Sequence, residues 1–487
     1  MSSAIRWVTA VALSGFLAVA RNAPIRRLDG STISPSEIDD TVSRLMHAAE
    51  VTGVGVAILN QGRVAYRKAY GLRDVERKLP LTEDSVMAGA SLSKAAFSVL
   101  VMQLVASKTI DLDRPVQEYL PKPIPDYPEY RDLSGDLRYQ KLTARMLLSH
   151  TSGFPNLRWL NPDHKLNINF EPGSRYAYSG EGIQLLQLVV ETVTGKALKD
   201  LMEEHVFRPL KMSRTSMVSE QRLEDNSANG YDEWGRFLGH PQRQSAAAAG
   251  SMQTTLRDFA RLLQAVMSGD QLVKSARELM LSPQIQILSK HQFPSLATAT
   301  TEENKGIRLS YGLGWGLYWS PYGRAFFKEG HEEGFRNYAV AFDKPGIGIV
   351  ILTNSSNGEG IFKELLETLI RNPFTPIAWE GFTPYNELPP RKPQPKHTEI
   401  ELAPALLGRV VGRYTLPGVV LRVTRQSGHL LLQENDEPPE ELFPEAELRF
   451  FSKTSDDVVT FDLDREGKVS NLVIHTGGRS IPVKRVE

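Results

Sequence analysis

The chain has 487 residues, no cysteine, 57 Lys+Arg against 57 Asp+Glu, and 41% hydrophobic residues. At ~150 residues per unit it suggests about three domain-sized parts, long enough to bury a large core without metal or disulfide staples. Absence of cysteine excludes thiol nucleophiles, thiolate zinc sites and iron–sulfur clusters, so any nucleophile is an oxygen or an amine; zero formal charge removes the bulk reason to expect nucleic acid.

Residues 1–20 carry one early cation, Arg6, then an uncharged apolar run from Trp7 to Ala20, with Ala18 and Ala20 fitting a small-x-small cleavage site. This reads as a secretory signal peptide and places the protein in the periplasm or outside the cell. An uncleaved anchor and an ordinary N-terminal helix are the alternatives, the run being short for a span of ~20 apolar residues. No other stretch is long and apolar enough, so no stable membrane insertion is expected.

Ser36 to Glu50 reads as a helix with Ser36 as its N-cap. Gly53 to Asn60 and Arg63 to Gly71 read as a hairpin across Gln61-Gly62. Far downstream, Arg336 to Phe342 and Gly348 to Thr353 are again strand-like, and Ile361 to Ile370 is an amphipathic helix. One antiparallel sheet built from both ends of a domain is the expectation, with the mostly helical stretch from Ser91 to Gly269 forming a second lobe. Residues 30–372 make up this domain. Eight prolines between Pro373 and Pro404 then predict a linker, 373–404, without regular structure. In 405–487 short alternating runs such as VVLRVTR, HLLLQE and VVTFDLD predict six to eight strands in a small β-barrel or sandwich. The fold class is therefore α+β followed by an all-β domain.

Ser91 and Lys94 form the only Ser-x-x-Lys in the chain. On a helix they lie one turn apart on the same face, so the amine reaches the hydroxyl. A serine hydroxyl needs a base, and a desolvated lysine near other cations has its pKa lowered enough to serve as one. The helix that follows is apolar nearly all round, which buries Lys94 and puts Ser91 at the positive end of the helix dipole. Tyr178, in Tyr178-Ser179-Gly180, is a second candidate, since a phenol beside a lysine relays protons; a tyrosine serves equally well as a packing residue. Lys328-Glu329-Gly330 precedes a predicted strand and offers a second cation, with Gly330 leaving room for substrate against the backbone.

In this order, Ser-x-x-Lys, Tyr-x-x and Lys-x-Gly resemble the motifs of the serine β-lactamase-related hydrolases, the group of class C β-lactamases, DD-peptidases, esterases and D-aminopeptidases. The segments GVGVAILNQGRVAYRKAYGLRD, LLSHTSGFP, FEPGSRYAYSG and YGLGWGLY support the likeness, which spans roughly Ser36 to Arg371. The resemblance implies a β-lactamase/transpeptidase-like fold. It makes Ser91 the nucleophile, Lys94 its base, Tyr178 a general acid or base tuned by Lys328, and Gly330 part of the substrate strand. The backbone N–H groups of Ser91 and His331 would form the oxyanion hole, such donors contributing ~3 kcal/mol each. The implied reaction is acyl transfer to water on small esters, amides or peptides, with no cofactor and no metal.

Two departures bear on the substrate. Gly180 stands where the family commonly has Asn, and Glu329 stands where it has Thr or Ser, so a carboxylate would repel the free carboxylate of a β-lactam. Esterase or D-amino-acid-type peptidase chemistry is therefore favoured over β-lactamase chemistry. The alternative is a catalytically impaired binding or sensing protein, in which Glu329 neutralises Lys328. His150, beside Thr and Ser, reads as a hydrogen-bonded structural residue rather than a triad histidine. His331-Glu332-Glu333 lacks the second histidine of a zinc-peptidase motif, position 335 being Phe. The C-terminal residues resemble the lipocalin-like modules appended to some of these hydrolases; a stabilising or homo-oligomer-forming appendage is the expected role, and a lid over the site the alternative.

Overall fold

The computed structural model describes residues 23–389 except Pro162, and 397–486 apart from 417–418, 427, 436–438, 454, 456 and 477–478. The expected leader, 1–20, lies outside the described residues. The chain divides into two units, the first comprising residues up to Gly235 and Arg243–Glu387, the second Arg236–Gln242 and Leu388 onward.

In the first unit, helix α1 (Pro35–Ala48) is capped by Ser34, not Ser36: the Ser34 hydroxyl accepts from the Glu37 amide and the Glu37 carboxylate accepts from the Ser34 amide. This reciprocal pair satisfies two helix-end donors at once, which a cap at Ser36 does not. Strands β1 (Gly53–Asn60) and β2 (Arg63–Asp74) form the expected hairpin. With β3 (Leu79–Pro80), β4 (Ile285–Gln286), β5 (Ser310–Tyr311), β6 (Gly316–Ser320), β7 (Gly323–Glu332), β8 (Phe335–Phe342) and β9 (Ile347–Thr353) they make one sheet ordered β4-β5-β6-β7-β8-β9-β1-β2-β3. Antiparallel pairing of β9 with β1, Thr353 opposite Val54 and Gly348 opposite Leu59, joins the two ends of the unit.

Both faces of the central strands are covered, and the two-residue period of a strand sorts the side chains between them. Val54, Val56 and Ile58 join α1 and helix α5 (Phe362–Leu369) in one core; Ala57 and Leu59 join helix α4 (Leu256–Ser268) and helix α2 (Leu92–Ala106) in the other. That double burial explains why β1 reads as an almost continuous apolar run. The second core extends through the helical lobe, including helix α3 (Gly180–Thr194).

The stretch expected to be an irregular linker begins later than its prolines suggest. Helix α6 (Ile377–Glu380) packs Ile377 and Trp379, with Phe382 just beyond, into the first unit's core, so that unit continues to Glu387. Prolines at 373, 376 and 384 stop long helices but leave room for a single turn carrying large apolar side chains.

In the second unit eight strands from Gly412 to Arg485 close into an antiparallel barrel, the last pairing with the first. Leu421, Val423, Phe450, Val459, Phe461 and Leu472 fill its interior, joined by Leu407 and Val410 of the preceding helix Pro404–Val410. An eight-strand barrel is narrow enough for side chains such as these to fill. Among the described residues no helix is long and apolar enough to cross a membrane.

Candidate active site

Ser91 sits at the N-cap of α2, half-buried, with no side-chain capping bond, so its hydroxyl is not consumed by the helix. Ala90 before it takes a left-handed conformation, φ 47°, which turns the chain sharply from Met87–Ala88 into α2. A non-glycine residue pays for such a φ, and the surroundings hold it there: the Gly89 amide donates to the Met252 carbonyl at 2.7 Å, and the Ser93 hydroxyl donates to the Ala90 carbonyl at 2.6 Å while accepting from the Met252 amide at 2.9 Å. The Ser91 N–H has no hydrogen-bond acceptor among the described residues.

One turn on, Lys94 is 2% exposed, with Nζ 3.0 Å from Ser91 Oγ and a hydrogen bond to the Ala249 carbonyl. Burial, and secondarily the charge of Lys328, hold its amine well below the usual lysine range, against a weaker opposing pull from Glu329. A lowered pKa at this distance suits the amine to accept the serine proton.

Tyr178 precedes α3, whose N-cap Ser179 accepts from the Gly182 amide at 2.9 Å. Its ring lies below both lysines, with Lys94 Nζ 5.1 Å and Lys328 Nζ 4.9 Å from the centroid. Lys328 Nζ donates to the phenol oxygen at 3.0 Å. Burial, then the Glu329 charge, nevertheless push the phenol well above its usual range, and contact with Ser91 only partly offsets this. Tyr178 is thus a protonated phenol at neutral pH, suited to donating a proton rather than to acting as a resting phenolate.

Lys328 and Glu329 lie near the end of β7, beyond the part that pairs with β6, so among the described residues this stretch pairs as a strand with β8 alone. Lys328 Nζ also meets Glu329 Oε1 at 2.6 Å, both side chains being buried. Glycine at 330 also has a packing reason: a Cβ there would stand 2.6 Å from the Gly89 carbonyl and 3.2 Å from Leu92 Cγ. The missing side chain seats the start of α2 on the sheet. The His331 side chain is exposed and pairs through Nδ1 with Glu359 at 3.2 Å.

His150 is fully buried, its ring 4.4 Å from that of Tyr178, and its Nδ1 accepts from the Ser179 amide at 3.2 Å. Burial and the nearby Lys94 and Lys328 charges hold it neutral. It supports Tyr178, as a structural residue does. Among the described residues no group of three or more His, Asp or Glu is placed to hold a metal.

Sequence reasoning missed the wall behind the lysines. Gln292 Nε2 donates to Glu329 Oε1 at 3.1 Å, and the Gln292 amide donates to the Trp379 carbonyl at 2.8 Å. Next to Trp379, buried Glu380 accepts from the Tyr338 hydroxyl at 2.8 Å, and burial followed by Glu329 raises its carboxyl well above the usual range. The signal was Trp379-Glu380 itself, a large apolar residue beside an acid inside a supposed linker.

Residues 38–369 match the family model described as Beta-lactamase. Penicillin-binding protein 4* of Bacillus subtilis (strain 168) is 25% identical over 464 residues, covering 87% of this chain and 93% of that protein. Esterase EstB of Burkholderia gladioli is 28% identical over 218 residues, 39% of this chain and 53% of the esterase. An octameric penicillin-binding protein homologue from Pyrococcus abyssi shares the fold at a TM-score of 0.58 and 21% identity, over 92% of this chain and 99% of that one.

Proposed function

The chain belongs to the beta-lactamase family of serine hydrolases, and on that premise we propose that it hydrolyses small esters, amides or peptides through an acyl-enzyme on Ser91. The observation that carries this reading is the 3.0 Å approach of the buried Lys94 amine, whose pKa burial lowers well below the usual lysine range, to the Ser91 hydroxyl.

Lys94 takes the Ser91 proton as Oγ attacks the substrate carbonyl, and the Ser91 and His331 N–H groups hold the developing oxyanion. The Tyr178 phenol gives its proton to the departing oxygen or nitrogen and is reprotonated from Lys94, returning that amine to its neutral form. Water then attacks the ester on Ser91 with Lys94 as base, releasing the acid and the serine.

Esterase or D-amino-acid-type peptidase activity is favoured over β-lactamase activity because Glu329 puts a carboxylate beside Lys328, where an anionic substrate group would otherwise meet the lysine alone. A relative named as an esterase and one named as a penicillin-binding protein are compatible with both favoured classes. Export through the leader, residues 1–20, would place the enzyme in the periplasm or outside the cell. The closed barrel leaves no free strand edge, so a homo-oligomer formed through it would use its outer face.

The Lys328–Glu329 pair also favours a second reading, a binding or sensing protein that keeps the fold without turnover. Hydrolysis of p-nitrophenyl acetate separates the two. Steady turnover that is lost in Ser91→Ala is expected; turnover equal in both proteins, or none in either, contradicts the hydrolase reading.

A further inference from the structure

Two buried carboxylates, Glu329 and Glu380, compete for the hydroxyl of Tyr338. Glu329 and Tyr338 are directly opposite each other on β7 and β8, so their side chains share a face with Cβ atoms about 4.5–5.5 Å apart. The Tyr338 hydroxyl nevertheless donates to Glu380 of α6, at 2.8 Å. A phenol has one proton to give, so the bond to Glu380 is a bond withheld from Glu329. Glu329 Oε1 accepts instead from Lys328 Nζ at 2.6 Å and Gln292 Nε2 at 3.1 Å.

Helix α6 arranges both choices. The Trp379 carbonyl accepts from the Gln292 amide at 2.8 Å, which holds Gln292 where its Nε2 meets Glu329, and the next residue, Glu380, draws Tyr338 the other way. The Tyr338 ring packs against Phe362 of α5 and Phe382 just beyond α6, with centroids 5.6 and 6.2 Å away. Among the described residues Tyr338 is the one donor to Glu380, whose Oε1 has no partner. A buried carboxyl without a paired cation is drawn toward its protonated form, and burial, then the Glu329 charge, raise Glu380 in that direction. The other titratable groups that face it are Lys328 on β7, Tyr318 on β6, Tyr311 on β5, and Tyr176 and Tyr178 ahead of α3.

The position of Glu329 is felt at the nucleophile's base. Burial lowers the proton affinity of Lys94, the Lys328 charge lowers it further, and the Glu329 charge opposes both. A Glu329 carboxylate drawn toward a new donor would offset Lys328 less.

We propose that Glu380 is a positioning residue for acyl transfer: by holding the Tyr338 hydroxyl it keeps that donor off Glu329, so that Glu329 stays on Lys328 and the charge beside Lys94 and Tyr178 stays balanced. This rests on the acyl-enzyme reading of Ser91, with Lys94 as base. It gives a role in the chemistry to a residue that lies beyond residues 38–369, the part of the chain that matches the family.

The test is the acid limb of kcat/KM for p-nitrophenyl acetate, which reports protonation of Lys94. Glu380→Met takes the acceptor from Tyr338 and should move the limb toward acid by about half a pH unit, as a weakened offset of Lys328 requires. Glu380→Gln keeps an acceptor for Tyr338 and, like the protonated acid, carries no charge, so its limb should lie within about 0.2 pH units of wild type. In Glu380→Met/Tyr338→Phe the released donor is gone, and the limb should return to the wild-type position. Glu380→Leu repeats the comparison should the methionine variant not fold. An unmoved limb in Glu380→Met, a move toward alkali, an equal move in Glu380→Gln, or a limb that stays displaced in the double variant each overturns the proposal. Failure of the acyl-enzyme reading shows elsewhere, as wild-type ester turnover that survives Ser91→Ala.

Discussion

Lys328 and Glu329, neighbours on one strand, form a buried ion pair of 2.6 Å in which the lysine also donates to the Tyr178 phenol. The carboxylate therefore has two effects: it offers negative charge to whatever enters beside β7, and it raises the proton affinity of Tyr178.

Replacing the carboxylate by a small neutral hydroxyl, Glu329→Thr, should shift selectivity toward anionic substrates. Nitrocefin hydrolysis is expected to gain tenfold or more in kcat/KM, about 1.4 kcal/mol, with simple esters little changed. An unchanged nitrocefin rate would mean that Glu329 does not set substrate charge.

Burial depresses the Lys94 pKa against the amine's intrinsic preference, so the fold bears a cost below the ordinary lysine pKa. In the unfolded chain the amine is protonated below its ordinary pKa of 10.5; in the fold its pKa is depressed. The unfolded state then binds more protons, and this contribution makes stability rise with pH up to that ordinary value. Lys94→Met should be more stable than wild type at pH 7, on the order of 1 kcal/mol, with a loss of ~10²–10⁴ in kcat. A destabilised Lys94→Met would show that the amine is charged and paired.

The same depression predicts the activity profile. Acylation needs the neutral amine, so kcat/KM for a neutral ester should rise with pH through the Lys94 pKa and level off well below 10.5. Glu329 opposes the depression, so Glu329→Gln should move that limb toward acid. An acid limb at the ordinary lysine value, or a shift toward alkali in Glu329→Gln, would contradict the role given to Lys94.

Gly330 tests the seating of the nucleophile. A methyl group there meets the Gly89 carbonyl, two residues before Ser91, at 2.6 Å. Gly330→Ala is expected to cost ~1–3 kcal/mol in denaturant unfolding and more in rate, ~100-fold, because Ser91 is displaced relative to Lys94. A loss of stability with full activity would place the strain elsewhere.

What was legible in the sequence was local or periodic. The hairpin at Gly53–Asp74 shows as two β-rich runs about a Gln-Gly turn, the barrel as repeated alternation, and Ser91 with Lys94 as a one-turn spacing on an apolar helix. The cap at Ser34 was equally legible, as Ser-x-x-Glu with Pro at the first helical position. Other features depend on pairings between distant segments that no spacing encodes. The Ala249 carbonyl meets Lys94 from 155 positions away, Gln292 meets Glu329, and Asn156 fills the space left at Gly180. For Gly330 the need for glycine was visible, but the close approach of the Gly89 backbone was not.

The most direct measurement is the mass of the protein after brief incubation with a fluorophosphonate, followed by peptide mapping. One equivalent of adduct on Ser91, absent from Ser91→Ala and formed ~10² or more times slower by Lys94→Met, is the predicted result. No adduct on the wild-type protein, or the same adduct on Ser91→Ala, would contradict a nucleophilic serine activated by Lys94.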